Sequence, residues 1–407
     1  MSLILFWGAA ALIVYTYVLF PALVFVRSRL WRRPYKTGDI TPNVSIIIAA
    51  HNEANSIGAK LDNLLALDYP RDHLEVVIAS DGSTDETEAI VRRYADRGIQ
   101  LLALPRQGKA PALNAAVAAS RGEILVFSDA NSLYAPDAIR ALVRPFANPE
   151  VGGVAGNQRY LNKGSVSAAG ESEHSYWNFD RKLKQFQSEA GNAISATGAI
   201  YAIRRSLFQP VPAGVTDDFV TSTRVIAQGY RLVFAPEAVA YEPVAGTSGA
   251  EFGRKVRVIT RGLRAVLVMR ELFNPFQYGF YAFQLFSHKV LRRLAVFPLL
   301  ALFLVTPFLW GHGLFYQLAL LAQLAFYGCA VLGLLLSQTR LGRLKTFSLP
   351  FFFCMVNLAA FLATWNILRG RKIDRWEPKH QEASAPPAGP QERSASGVSE
   401  HGQAMSS

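Results

Sequence analysis

Four long apolar runs stand out in the hydropathy pattern, and none contains a charged side chain; they cover residues 3–26, 295–311, 314–336 and 347–368. Each run is close to the roughly 20 residues that span a hydrocarbon core. We therefore predict one N-terminal and about three C-terminal transmembrane helices. A cleaved signal peptide is the alternative for the first run, but no basic segment precedes that run and no small-residue cleavage site follows it.

Between the first two runs, residues 43–240 alternate between apolar segments and segments with helical periodicity. The segments NVSIIIAA, LEVVIAS and EILVFS are nearly continuous apolar stretches, which predict strands buried on both faces. Helices are predicted from Thr84, with Asp85 and Glu86 in the first turn, and from Lys109 to Ser120. This alternation indicates an α/β domain with a mostly parallel sheet that is covered by helices on both faces.

Polar clusters follow three of the predicted strands, at the point where each strand ends; they are His51-Asn52-Glu53, Asp81-Gly82-Ser83 and Asp129-Ala130-Asn131. Ligands bind at the carboxyl ends of strands in such sheets, so the three clusters predict one crevice. Asp129 and Asn131 are two residues apart and can face the same side of an extended chain. A turn cap, a divalent cation and a sugar hydroxyl are the candidates for what they hold.

The basic residues, which give the chain a net charge of +12, cluster beside the apolar runs. The segment RSRLWRRPYK follows the first run, and nothing positive precedes that run. The positive-inside rule then places the N-terminus outside and the next domain in the cytoplasm. Nucleic-acid binding is the competing explanation of the charge, but the chain has no separate basic domain. We therefore expect contact with membrane lipids and none with nucleic acid.

The membrane topology contains one conflict. One span before the cytoplasmic domain and three after it would leave the C-terminus outside, whereas the basic segment RGRKIDRWEPKH favours the inside. Pro298 and Pro307 lie within the second apolar run, so that run is a candidate for a broken or re-entrant span.

The composition divides the chain into an N-terminal anchor, a basic linker, the alternating domain, an interfacial segment, the C-terminal spans and a tail, with boundaries at 1–26, 27–42, 43–240, 241–294, 295–368 and 369–407. The interfacial segment contains FNPFQYGFYAFQLFSHKVLRRL, which predicts an amphipathic helix in the membrane interface. The tail is first basic and then lacks an apolar period, which indicates disorder.

The motifs HNE, DGSTD, GK, SDAN and TDD occur in this order and are followed by predicted spans. In this arrangement the chain resembles the membrane-embedded family 2 glycosyltransferases, the group that contains cellulose, hyaluronan and poly-N-acetylglucosamine synthases. The resemblance covers roughly residues 43–300 and implies a GT-A-type, Rossmann-like cytoplasmic domain in a multi-pass protein of the inner (plasma) membrane. Each motif is common by itself, and the order of all five makes the resemblance specific.

The resemblance implies a metal site at Asp129 and Asn131, where the family usually carries Asp-x-Asp. Mg²⁺ or Mn²⁺ would neutralise the charge that builds on the departing diphosphate of the donor, and hard oxygen ligands suit both ions. The alternative for Asn131 is a helix N-cap, because SLYAPDAIRAL follows it.

The same resemblance assigns four residues to a UDP-sugar donor, namely His51, Glu53, Asp81 and Lys109. Asp81 would hold the base or ribose, and Lys109 would reach the nucleotide or its diphosphate. The alternatives are a turn with an N-cap at Ser83 or Thr84 in the case of Asp81, and a merely solvated side chain in the case of Lys109.

Asp217 and Asp218 match the family's position for the general base, with Asp218 as the base and Asp217 as its neighbour. Inverting transfer needs a base that takes the proton of the acceptor hydroxyl. Repulsion between the two adjacent carboxylates raises the pKa of one of them, which favours proton uptake. Helix capping is the alternative. Thr197 and Gly198 match the stretch that lines the acceptor, or else form a plain strand and turn.

The sequence departs from the processive synthases at their Gln-x-x-Arg-Trp motif. Aligned on Arg257, this chain has Arg254 in place of Gln and Val258 in place of Trp. Arg257 and Arg261 would clamp the diphosphate of the donor, or else bind lipid headgroups. The missing Trp removes a stacking platform for a bound sugar and puts processive synthesis in doubt.

The leading hypothesis is an inverting, metal-dependent glycosyltransferase that adds sugar to a growing polysaccharide or a lipid-linked acceptor during envelope or exopolysaccharide synthesis. A transferase that adds a single sugar to a lipid is the second hypothesis. A non-catalytic, nucleotide-binding membrane scaffold is the third, and the intact Asp81, Asp129 and Asp218 argue against it.

Overall fold

The computed structural model describes residues 1–161, 168–243, 248–337, 339 and 341–371. Its strands are β1 (Val44–Ala50), β2 (Leu74–Asp81), β3 (Ile99–Leu104), β4 (Ile124–Asp129), β5 (Leu133–Tyr134), β6 (Val151–Leu161), β7 (Tyr201–Arg204) and β8 (Arg231–Pro243). The predicted disordered tail lies outside the described residues.

The helices of the N-terminal part and of the sheet domain are α1 (Ser2–Val14), α2 (Phe20–Leu30), α3 (Ala54–Leu65), α4 (Thr87–Arg92), α5 (Lys109–Ala119), α6 (Ala138–Val143), α7 (Ala168–Glu189) and α8 (Asp217–Ala227). They are followed by α9 (Ser248–Val268), α10 (Pro275–Tyr278), α11 (Phe280–Leu285), α12 (Arg292–Leu294), α13 (Val296–Val305), α14 (Leu314–Leu335) and α15 (Lys345–Leu368). Two π-helical segments, Tyr15–Leu19 and Phe286–Leu291, join α1 to α2 and α11 to α12.

Within the described residues, one eight-stranded sheet has the order β3-β2-β1-β4-β7-β6-β8-β5. The pairs β1–β2, β1–β4, β2–β3 and β6–β8 are parallel, whereas β4–β7, β6–β7 and β5–β8 are antiparallel. The predicted α/β domain with a mostly parallel sheet is therefore confirmed. The parallel strands β2, β1 and β4 end at the same edge, which places the three polar clusters together.

The central strand β1 is buried on both faces, as its continuous apolar sequence predicts. Ile47 packs in the core on the side of α5, α8 and α9, and Ile48 packs in the core on the side of α3 and α6. Because successive side chains of a strand point to opposite faces, a run of apolar residues fits a sheet that is covered by helices on both sides.

The helix after β2 begins later than predicted. We expected it to begin at Thr84 with two acidic residues in its first turn, but α4 begins at Thr87, and Asp85 and Glu86 precede it. Asp85 Oδ1 accepts a hydrogen bond from the amide of Thr87 at 3.0 Å. The acidic side chain therefore satisfies a free amide at the helix start from outside the helix.

Three helical segments in the described part of the chain are long and apolar enough to cross a membrane, namely Ser2–Leu30, Leu314–Leu335 and Lys345–Leu368. A fourth candidate is a bent pair, in which Phe280–Leu294 meets Val296–His312 at 48°. Its second half changes from α13 to a 3₁₀ helix at Thr306–His312, which contains Pro307. The proline removes one backbone donor, which favours the change in helix type.

The helix α15 packs on the candidate span α14 and also on the basic helix α9. It packs along α9, where the Lys255 ammonium lies 4.9 Å from the centre of the Phe352 ring and Arg264 donates to the carbonyl of Arg371. In its apolar window 44% of the residues are buried inside the protein, against 11% in α14. The helix therefore covers a basic surface of the protein.

The predicted interfacial helix is broken near its start. We expected one helix through FNPFQYGFYAFQLFSHKVLRRL, but Gly279, with a φ of 53°, separates α10 from the helical segment 280–294. Asn274 begins the short α10, because its Oδ1 accepts from the amide of Phe276 at 3.1 Å. A glycine in the left-handed region and an Asn-Pro pair are strong local signals for such a break.

Candidate active site

The three predicted polar clusters lie together at the carboxyl edge of the sheet. Asp81 is the last residue of β2 and Asp129 the last residue of β4, while His51 follows β1 between them. Asp217 and Asp218 begin α8, which packs on the same sheet. The structure thus brings residues from both halves of the domain to one edge.

Lys109 joins the two halves of this site. Its Nζ lies 2.8 Å from Asp129 Oδ1 and 3.2 Å from Asp217 Oδ2. The three side chains are largely buried, with exposed fractions of 13% for Lys109, 25% for Asp129 and 13% for Asp217. Lys109 is therefore a buried bridge between two carboxylates, and the solvated alternative is wrong.

Asp218 has a raised pKa because of its surroundings. Burial and the negative charge of Asp217 raise the pKa of Asp218 to about 6, while the positive charge of Lys109 opposes the rise. Burial alone would lower the pKa of Lys109, but the charges of Asp129 and Asp217 raise it well above its ordinary value. Asp218 is thus a carboxylate that can take up a proton near neutral pH, beside a permanent cation.

Asp81 shapes the loop that presents Lys109. Its Oδ1 accepts from the amides of Gln107 at 2.7 Å and Gly108 at 2.9 Å. Gly108 has a φ of 105°, which favours glycine, and α5 begins at the next residue. Asp81 therefore fixes the start of α5 instead of capping a turn at Ser83 or Thr84.

His51 and Glu53 both hold this edge of the sheet together. The buried His51 donates through Nδ1 to the carbonyl of Asp81 at 2.8 Å, and Arg106 contacts the other ring nitrogen. The Glu53 carboxylate accepts from Ser56 Oγ at 2.5 Å. Both residues lie at the crevice, where their contacts fix the loops around it.

The N-cap alternative for Asn131 is wrong. The segment after it forms the short strand β5, and α6 begins only at Ala138 with Asp137 as its N-cap. Asn131 is buried, and its Nδ2 has no hydrogen-bond partner among the described residues. A buried donor without a partner costs about 1–3 kcal/mol, which a ligand oxygen at this position would offset.

Asp129 is the residue that best fits a divalent cation at this site. The described residues contain no group of three or more His, Cys, Asp or Glu side chains arranged to hold a metal. Mg²⁺ is commonly held by one or two carboxylates together with substrate phosphates, so a single carboxylate suffices in the presence of a diphosphate. The orphaned amide donor of Asn131 fits a phosphate or hydroxyl oxygen better than it fits the cation.

Thr197 and Gly198 lie against Asp129. The amide of Asp129 donates to the carbonyl of Gly198 at 3.0 Å. A Cβ atom on Gly198 would stand 2.9 Å from Asp129 Oδ2, which is closer than real Cβ contacts. Thr197 Oγ1 is buried and has no hydrogen-bond partner within the described part of the chain. Gly198 therefore makes room for the Asp129 carboxylate itself.

Arg261 was predicted to clamp the diphosphate of the donor, and in the structure its side chain contacts the protein backbone. Its Nη2 donates to the carbonyl of Val215 at 2.8 Å, in the loop that leads to Asp217. Arg257 lies one helical turn earlier on α9 and is half-buried. Val258, at the position of the family's Trp, is 47% exposed and offers no aromatic face.

Lys60 is a site residue that sequence reasoning missed. It is wholly buried, and its Nζ donates to Ser128 Oγ at 2.8 Å and to the carbonyl of Ser132 at 2.5 Å, on either side of Asp129 and Asn131. Burial lowers the pKa of Lys60 to about 7, although nearby carboxylates oppose the shift. A lysine on the apolar face of the predicted helix α3 was the signal in the sequence.

The comparisons with known proteins agree with this geometry. Residues 45–211 match the family model described as Glycosyl transferase family 2. The poly-beta-1,6-N-acetyl-D-glucosamine synthase of Staphylococcus aureus (strain MSSA476) is 26% identical over 256 residues, a match that covers 61% of this chain and 61% of the synthase. The probable glycosyltransferase YdaM of Bacillus subtilis (strain 168) is 28% identical over 294 residues, covering 66% and 68%.

The solved structure of the mannosyltransferase PcManGT from Pyrobaculum calidifontis, in complex with GDP-Man and Mn²⁺, is similar along most of the chain. The TM-score is 0.66 at 26% identity, and the match covers 90% of this chain and 99% of the mannosyltransferase. The fold and the site therefore define a GT-A glycosyltransferase. Residues 45–211 thus form a family 2 glycosyltransferase domain, as the motifs predicted, and the match spans 61% of the length of the synthase relative.

The close approach of Gly198 to Asp129 leads to a first prediction. Gly198→Ala should displace the Asp129 carboxylate and lower kcat by about 10- to 100-fold, because small misplacements of reacting groups are costly. Steady-state kinetics would measure the loss, and the midpoint of thermal unfolding would test whether the fold is kept. Gly253→Ala is the matched control, since a Cβ there meets nothing within 4 Å. Equal kinetics in both variants would contradict the prediction.

Proposed function

We propose that this chain is an inverting, divalent-metal-dependent glycosyltransferase of the inner (plasma) membrane. It would transfer a sugar from a UDP-sugar to a growing polysaccharide or a lipid-linked acceptor. The observation that carries the proposal is Asp218, a carboxylate with a pKa raised to about 6 that stands beside the Lys109 bridge to Asp129.

In the proposed reaction Asp218 acts as the general base. The acceptor hydroxyl oxygen forms a bond to the anomeric carbon from the face opposite the diphosphate, and its proton passes to Asp218. The bond between the anomeric carbon and the diphosphate oxygen breaks, and the nucleoside diphosphate leaves. The amide of Phe219 donates to Asp218 Oδ1 at 2.8 Å and so orients the carboxylate.

The donor side of the site stabilises the leaving group. When a divalent cation is bound, it supplies positive charge to the departing diphosphate, and Asp129 would hold it with Asn131 beside it. Lys109 adds a permanent positive charge at the same place, which Asp81 positions through the loop before α5. His51, Glu53 and Arg257 would complete the donor pocket.

Two features of the relatives bear on the choice of donor. The name of the synthase relative, poly-beta-1,6-N-acetyl-D-glucosamine synthase, supports N-acetylglucosamine as the transferred sugar and a polysaccharide as the product. The similar mannosyltransferase structure contains GDP-Man, so a GDP-sugar is the competing donor. The matched segment spans 61% of that synthase, so the acceptor of this chain depends on its own residues.

We also propose that α15 lies along the cytoplasmic face and does not cross the membrane. Its partner α9 carries five cationic residues between Arg254 and Arg264 and holds the catalytic loop through Arg261, so α9 belongs outside the hydrocarbon core. Two single candidates then remain, Ser2–Leu30 and Leu314–Leu335, together with the bent pair, of which we propose that the second half, Val296–His312, crosses. The catalytic domain and the C-terminus would both be cytoplasmic, which removes the conflict between span count and charge.

The role of Asp218 can be tested with purified protein in lipid nanodiscs containing Mn²⁺ or Mg²⁺. UDP-glucose, UDP-N-acetylglucosamine, UDP-galactose, UDP-glucuronate and GDP-mannose would be screened for nucleotide release and product size. Asp218→Asn should lower release by about 10²- to 10⁴-fold with donor binding intact, whereas the exposed Asp96→Asn should have no effect. Equal activity in both would remove Asp218 as the base, and binding without turnover in the wild type would favour the scaffold.

The pH dependence follows from the raised pKa of Asp218. A base works in its deprotonated form, so kcat/KM should fall as the pH drops through about 6 and level off above it. Lys109→Gln removes a charge that lowers this pKa, so the midpoint of the remaining activity should move to higher pH. The exposed Lys36→Gln is the control. A flat profile between pH 5 and 7 would contradict the assignment.

The topology can be tested by labelling single cysteines with a membrane-impermeant maleimide. In a variant without Cys329 and Cys354, Ser2→Cys should react on intact cells, whereas Arg371→Cys should react only after the membrane is opened. Labelling of Arg371→Cys on intact cells would show that α15 crosses the membrane.

A further inference from the structure

A large apolar cavity lies between α9, the helical segment 280–294 and the last turn of α15. Its volume is about 650 Å³, within the range of roughly 300–1,000 Å³ that is usual for small-molecule sites. Thr364 is its one polar lining residue, and the others are apolar, including Leu263, Val266, Ala282, Phe286, Val290 and Leu368. An open apolar space of this size at the membrane-facing side of a catalytic domain fits a hydrocarbon chain.

The helix α9 connects this cavity to the catalytic loop. Arg261 holds the carbonyl of Val215, two residues before Asp217, and Leu263 lines the cavity less than one helical turn further on. The lining residue Val266 also packs in the same buried apolar cluster as Phe219 and Val220 of α8.

Two basic side chains of the segment 280–294 neighbour lining residues of the cavity and lie close to α8 or α9. Lys289 and Arg293 directly precede the lining residues Val290 and Leu294 on the segment 280–294. The Lys289 ammonium lies 5.8 Å from the centre of the Phe219 ring, the residue after Asp218. The Arg293 guanidinium packs against Gly262, 2.7 Å from the position that a Cβ would take.

The charge of this region favours an anion. The charges of Arg293, Asp180, Lys184 and Asp218 all act on Lys289, and those of Asp180 and Asp218 act on Lys184. Asp180 already accepts a hydrogen bond from Arg292 at 3.0 Å and contacts His288 at 3.2 Å. Burial and the positive charge of Arg293 lower the pKa of Lys289 to about 7, so an anion at this position would stabilise its ammonium form. A phosphate group at Lys289 would supply this negative charge and accept charge-assisted hydrogen bonds.

We propose that the cavity and these basic side chains form the acceptor site for a lipid phosphate with a single long hydrocarbon chain. The chain would occupy the cavity, the phosphate would contact Lys289 and Arg293, and a sugar hydroxyl carried by the phosphate would reach Asp218. The proposal rests on the proposed function and selects the lipid-linked acceptor. The hydroxyl oxygen bonds to the anomeric carbon, its proton passes to Asp218, and the nucleoside diphosphate departs with the electron pair of the broken bond.

Photolabelling of the full chain tests the site. The probe is hexadecyl phosphate with a diazirine in its chain, and labelled peptides are mapped by mass spectrometry. We expect labels in peptides that contain residues 263–267 and 282–294. Unlabelled hexadecyl phosphate should compete, whereas inorganic phosphate, which lacks the chain, and hexadecanol, which lacks the charge, should compete at least about tenfold less well, as expected when one of two contacts is lost.

Two variants with matched controls separate the chain from the phosphate. Ala282→Leu fills the cavity and should abolish labelling there, and Lys289→Gln should weaken competition by hexadecyl phosphate about tenfold. The controls are the lipid-facing Ala325→Leu and the exposed Lys36→Gln, neither of which should change the result. Labels outside the cavity, or equal competition by phosphatidylglycerol, would overturn the proposal, the latter by identifying an ordinary bilayer lipid.

The lipid site and the proposed function can fail separately. Wild-type protein that neither binds nor turns over a nucleotide sugar, but is labelled in the cavity, would refute the transferase and leave the lipid site standing. Turnover of a donor with labels elsewhere would refute the lipid site alone. Turnover with cavity labelling that is lost in Ala282→Leu would support both.

Discussion

The ion-pair bridge through Lys109 is the interaction on which the site depends. Asp129 ends the strand β4 and Asp217 begins α8, so one ammonium group sets the spacing of these two elements. Buried carboxylates without a counter-charge would repel each other and cost several kcal/mol, as the loss of one partner in a buried pair does. Asp81 and Gly198 serve the same bridge, because one fixes the loop before Lys109 and the other makes room for Asp129.

Much of this could be predicted from the sequence where the cause is local. Continuous apolar segments predicted strands in a sheet that helices cover on both faces. Because parallel strands end at the same edge of a sheet, the sequence also predicted that His51, Asp81 and Asp129 lie near one another. Lys109 and Asp217 are 108 residues apart in sequence, and no periodic pattern in the sequence predicts their contact. The role of Lys60 was hidden for the same reason, because its partners Ser128 and Ser132 lie on another element.

The membrane-associated part shows why hydropathy alone leaves the topology open. The window of α15 is apolar enough to span a bilayer, yet the helix packs against α9, whose cationic face needs water or headgroups. The composition of a helix shows whether it can lie in hydrocarbon, whereas its contacts with neighbouring helices determine where it lies. The 48° bend between the segments 280–294 and 296–312 fits this arrangement, since the first segment packs on the catalytic domain through His288 and Arg292 and the second continues away from it.

The missing aromatic platform at Val258 and the apolar cavity both concern how the proposed acceptor is held. An acceptor must be held while its hydroxyl is aligned with Asp218, and the exposed Val258 cannot do this by stacking. Burial of a hydrocarbon chain contributes about 0.8 kcal/mol per CH₂ group, so a chain in the cavity could hold the acceptor without any contact to its sugar. Such an acceptor is positioned from the membrane side, and its sugar can vary while the anchored chain keeps the hydroxyl near the base.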